Sequence, residues 1–192
     1  MKFNSKQILF VSIALVIIIS LFAMGYKTPF GQNGSKGVSG AVVASSFNVD
    51  EYVELQKDKL TPEQKTAVEN LEAKDNNKDN LASLATLWDS LNVGFVGAHY
   101  AYKLAEQDQT EMTWYIAGSK FYNVANFSND SQVVDYAVKQ AKNAFGKVLD
   151  LNPANLEAKN ALAICIIQDD QDVMKGLSML KEVVATDSNN VQ

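Results

Sequence analysis

Ala141-Lys142-Asn143-Ala144-Phe145-Gly146-Lys147-Val148-Leu149-Asp150-Leu151-Asn152-Pro153 is the stretch that decides the fold. Ala141, Phe145 and Val148 stand at i, i+4 and i+7, which puts them on one face of a helix. Asn152-Pro153 ends that helix, because proline lacks the N–H and clashes with the preceding turn. The same apolar triplet occurs at Ala98, Tyr102 and Ala105, 43 residues upstream, and at Gly176, Leu180 and Val183, 35 residues downstream. A repeat of this length marks stacked helical units that cannot bury their apolar faces singly.

A partner helix precedes each triplet. Trp114, Ala117, Gly118 and Phe121 stand at i, i+3, i+4 and i+7. Leu81, Leu84, Ala85 and Trp88 match this spacing, and Lys159, Leu162, Ala163 and Ile166 match it less fully. Small residues such as Gly118 and Ala141 let two helices approach closely, and a large residue one turn away fills the space beside them. No segment after residue 50 alternates with a period of two, and proline occurs only at 29, 62 and 153. The expectation is an all-α fold with about three antiparallel helix pairs over residues 79–192, preceded by further helices at 49–78. Thr61-Pro62-Glu63-Gln64 predicts one of those helix starts, with a threonine cap, proline in the first turn and a capping-box glutamine.

This spacing resembles the tetratricopeptide repeat (TPR), an α-solenoid family. The family's Trp-Leu-Gly-Tyr elements fall on Trp114, Ala117, Gly118 and Phe121, and its Ala-Phe-Ala-Pro elements on Ala141, Phe145, Val148 and Pro153. The resemblance covers roughly residues 79–190 and is strongest over 136–187. Two departures stand out. The middle repeat carries about eleven extra residues around Asn126–Asp130, so either its helices lengthen or a loop projects. The third has Lys159 where the family has a large aromatic. The chain also reaches Gln192 where a further helix is expected, so the repeat array is expected to continue beyond it. In TPR stacks the first helix of each pair lines a concave groove. That implies groove positions at Thr86 and Asp89, at Met112, Tyr115, Ser119 and Tyr122, and at Asn160 and Ile164. These positions hold no lysine, which disfavours the carboxylate clamp of some TPR families.

The N-terminus adds a second element. Residues 8–25 form an apolar run broken only by Ser12 and Ser20, preceded at residues 1–7 by Lys2 and Lys6. This predicts a single transmembrane signal-anchor helix with its N-terminus in the cytoplasm. Ala23-Met24-Gly25 also fits a cleavage site, which leaves a soluble, exported binding protein as the alternative. Residues 26–48 are rich in glycine and serine and predict a flexible linker. The layout is similar to bacterial single-span TPR proteins of the secretion machinery. It implies an inner-membrane chain with a periplasmic repeat domain that binds envelope proteins.

Charge narrows the partners. The chain has no arginine, and all 22 acids lie at or beyond Asp50 with 13 of the 17 lysines, so the region after the linker carries −9. Arginine is the usual reader of guanine edges and phosphate, so nucleic acid is disfavoured. An acidic domain is also repelled by an anionic bilayer and projects from it. The residues give no catalytic, metal or cofactor site. His99 is the single histidine and Cys165 the single cysteine, each within an apolar helical stretch. Asp75-x-Asn77-x-Asp79 opens like a calcium loop, but Asn80 and Thr86 replace the glycine and glutamate that such a loop needs. The reading is a protein-binding scaffold with no small-molecule substrate.

Overall fold

The computed structural model describes residues 47–169 and 172–188. Among them every regular element is an α-helix: α1 (Val49–Lys57), α2 (Pro62–Glu72), α3 (Lys78–Ser90), α4 (Gly94–Asp108), α5 (Glu111–Phe127), α6 (Ser131–Leu151), α7 (Leu156–Gln168) and α8 (Val173–Ser188). None is long and apolar enough to cross a membrane. The expected span at 8–25 lies outside the described residues.

The polar turns become helix caps. Asn48, Asn77 and Asn155 accept backbone N–H groups at the starts of α1, α3 and α7. Asp130 does so for α6. Thr61 and Thr110 form full capping boxes with Gln64 and Thr113. Each such cap contributes about 1 kcal/mol. Asn77, the middle of the calcium-like triplet, is therefore occupied as a cap, through a 2.9 Å bond from the Asn80 N–H.

From α3 onward each helix packs on its successor, and α4 also touches α6 while α5 touches α7. One apolar core runs through the stack, with Trp88 at 0% exposure and Phe121 and Phe145 at 1%. Of the expected packing residues, Leu84, Ala98, Ala105, Trp114, Gly118, Ala141, Val148 and Gly176 are also buried. Tyr102, Leu162, Leu180 and Val183 are half-buried. Pro153 departs from the expectation: it is exposed in the turn after α6, so it stops the helix without packing. Lys159, which replaces an aromatic, joins α7 to α8 through a 3.2 Å ion pair with Glu182.

Close approach at glycine recurs in each pair. A Cβ on Gly118 would stand 3.0 Å from the Phe145 ring, and one on Gly176 would stand 2.8 Å from the Ala163 carbonyl oxygen. In the first pair Gly97 takes this role against Ala85 and Asp89. Ala98, the small residue of the expected triplet, follows it and is fully buried.

The extra residues of the middle repeat lengthen its helices. α5 has 17 residues and α6 has 21, against 13 in α3 and α7. Only residues 128–130 separate them. Asn126 stays helical, its side-chain amide donating to the Tyr122 carbonyl at 2.9 Å.

The N-terminal helices close the open end of the stack. Tyr100 of α4 donates to Glu72 of α2 at 2.7 Å, and Glu72 pairs with Lys57 of α1 at 2.6 Å. Asn80 donates to the Leu71 carbonyl at 2.8 Å. The expected linker ends earlier than residue 48, because Phe47 packs on Tyr52, Phe95 and Tyr136 with ring centroids 5.2–5.6 Å apart. Such ring pairs add about 0.5–1.5 kcal/mol each beyond area burial.

His99 lies half-buried on α4. Burial, and then the nearby Lys103 ammonium, push its pKa from 6.5 down to about 4, with Asp50 opposing. A folded-state pKa below the unfolded value means that the unfolded chain binds the proton first. The stability held at neutral pH is therefore lost as pH falls from about 6.5 to about 4. We expect on the order of 2–3 kcal/mol of acid-dependent destabilisation across this window. In urea titrations at a series of pH values it should be absent from His99→Gln; an unchanged pH profile in that variant would refute the assignment.

Candidate protein-binding surface

Helices α5 and α7 lie side by side, and a depression of about 350 Å³ opens between them. Tyr115, Ser119 and Tyr122 reach it from α5, and Asn160 and Ile164 reach it from α7. Spacings of four and three along α5, and of four along α7, keep each set on one helix face. Five of the eight expected groove residues therefore meet in one place. The floor is the Phe145 ring, 5.9 Å from that of Tyr115, so core and groove share a wall.

The depression continues in both directions. Towards the start of α5, a second hollow of about 510 Å³ shares Tyr115 and includes Met112, which is 68% exposed. Towards the end of α5, Asn123 joins the first depression to a hollow of about 450 Å³ that contains Asp89. The overhanging ends of the long middle pair, Phe127 and Val133, wall that hollow against Phe95. Thr86 stands apart: it is exposed, and its hydroxyl donates to the Ala82 carbonyl of its own helix at 2.9 Å.

Three residues of this surface were missed in the sequence. Glu157 accepts a hydrogen bond from the Tyr115 hydroxyl at 3.1 Å. It stands three before Asn160, so the same helical face pointed to it. Asn123 stands four after Ser119 and was equally accessible to that reasoning. Lys120 reaches Asp89 across 31 residues in an ion pair that no local spacing reveals. The groove thus does contain a lysine, but one already engaged by a carboxylate.

Electrostatically the surface is anionic and preset. Burial, and then the Glu157 carboxylate, raise the Tyr115 hydroxyl above its ordinary pKa, so it stays a neutral donor. Asn155 and Asn152 donate to Glu111 at 2.7 and 2.9 Å and hold it below the usual carboxylate range. Asn123 and Asn160 each offer an amide donor and an acceptor. Tyrosine, asparagine and an aliphatic patch together suit contact with a polypeptide. Among the described residues no three His, Cys, Asp or Glu side chains gather as metal ligands. Cys165 is fully buried, and burial raises its thiol to about 12, which makes it an inert packing group.

Comparison with known protein families, with curated proteins and with solved structures returned no match.

Proposed function

We propose that this chain is a membrane-anchored scaffold of the TPR-like helical-repeat kind, which holds other proteins in the surface lined by α3, α5 and α7. The observation that carries the reading is the convergence of Tyr115, Ser119, Tyr122, Asn160 and Ile164 on one depression between alternate helices. Stacked pairs with a glycine close approach supply a rigid support for it. Rigid aromatic anchors flanked by amides are how such surfaces concentrate binding energy.

In this reading residues 8–25 fix the chain in a bacterial inner membrane, with Lys2 and Lys6 retained in the cytoplasm. The Gly/Ser-rich segment presents the repeat domain on the periplasmic side. A short flexible tether holds a weak binder near membrane partners at an effective concentration of about millimolar. The partner is then a subunit of an envelope assembly such as a secretion machine.

Tyr115→Ala combined with Tyr122→Ala tests the surface. The expected result is at least a tenfold loss of the partner that co-purifies with the full chain from detergent-solubilised membranes, the scale of a hot-spot pair. Far-UV helicity should be unchanged, since both residues are half-buried at the edge of the core. Collapse of helicity, or full retention of the partner, sinks the reading.

A further inference from the structure

A second cavity, of about 490 Å³, lies away from the groove, between α6 and α8 over the side of α7. Its floor is Leu162 and Ile166, and its rim is Lys139, Lys142 and Lys175, with Asp172 as the one acid. In a region of net charge −9 this concentration of lysines is unusual, and the neighbouring depressions each carry acids.

The lysines differ in state. Lys142 is paired with Asp169 across to the end of α7. Lys139 and Lys175 make no ion pair among the described residues, although most lysines there do. They come from helices 36 positions apart in sequence and arrive at the same rim. Two ammonium groups without an ion pair among the described residues, above an aliphatic floor, are complementary to carboxylates that flank an apolar side chain. A pocket of this size takes two or three residues.

We propose that this cavity is a second docking site, for a short acidic segment of a partner protein that carries a large apolar side chain between its carboxylates. A planar anionic bilayer is the less suitable occupant. The surrounding acidic domain is repelled by such a surface. The site is independent of the groove: the two share no residue, so a scaffold could hold two segments at once.

The test uses the full chain in neutral detergent and a fluorescein-labelled peptide, Gly-Asp-Leu-Glu-Phe-Asp-Gly. Anisotropy should report saturable binding that weakens with added salt, as charge pairing requires. Lys139→Glu with Lys175→Glu should weaken it more than tenfold. Lys74→Glu with Lys181→Glu makes the same change in net charge outside the cavity and should leave binding within twofold. Tyr115→Ala with Tyr122→Ala should also leave it unchanged, which separates failure here from failure of the groove. Each variant is first checked for unaltered helicity. The proposal is overturned if the peptide does not bind, if both lysine pairs weaken it equally, or if replacing Leu and Phe of the peptide with Ser has no effect. It is likewise overturned if the chain instead binds vesicles of anionic lipid through Lys139 and Lys175 while ignoring the peptide.

Discussion

Trp88→Ala should destabilise the helical domain by about 3–5 kcal/mol. Trp88 is the largest side chain with no exposure, and on α3 it belongs to the apolar core of the stack. Removing it deletes a large buried surface and leaves a void that rigid helices cannot collapse into. A domain of this size holds only about 5–15 kcal/mol in total, so this variant approaches the unfolding threshold. Its Nε1 finds no acceptor among the described residues. Trp88→Phe keeps most of the apolar volume and removes that buried donor, so it should cost less than half as much. Urea denaturation followed at 222 nm measures both. Equal losses in the two variants, or a loss under 1 kcal/mol for alanine, would show that this position is not packed as described.

Gly118→Leu should cost about 2–3 kcal/mol, for the opposite reason. Its Cβ alone would meet two Phe145 ring atoms at 3.0 Å, and Phe145 is 1% exposed. Phe145→Ala should cost about 3–5 kcal/mol by opening a cavity at the same place. The combination is the informative variant. Leucine at 118 can enter the space that Phe145 leaves, so the double variant should be at least 1 kcal/mol more stable than the sum of the single losses. Strict additivity would mean that the two residues do not share one contact. Phe145 also floors the groove, so this coupling is the link between core packing and the binding surface.

The helices were legible because their signals are local. The i, i+4, i+7 triplets, the Thr61-Pro62 start and the Asn152-Pro153 stop each act within one or two turns, and each corresponds to an observed helix or boundary. Contacts made between elements were harder to see. Phe47 falls within the expected linker of residues 26–48, yet α4 and α6 supply rings that capture it. The polar run at 126–130 left longer helices and a projecting loop equally open; Asn126 and Phe127 complete α5, because an asparagine bonded back to its own helix does not end it. Gly97 has no signal of its own in the spacing; only the proximity of Ala85 and Asp89 shows that this position must lack a side chain. Within the groove, Asn123 and Glu157 share the helical faces of Ser119 and Asn160, so periodicity reaches them although they are not among the expected groove residues. The Asp89–Lys120 pair needed the stacking of α3 beside α5 to be known.

The central claim is that the surface along α5 and α7 holds a protein. A photo-activatable residue at Asn123, which is exposed and joins two of the depressions, tests it in native membranes. The comparison position is Lys147, exposed on α6 and absent from the residues that line the groove. One discrete adduct is expected from position 123, none from 147, and it should disappear when Tyr115→Ala and Tyr122→Ala are added. Equal adducts from both positions, or none from 123 in chain that is folded and membrane-bound, would contradict it.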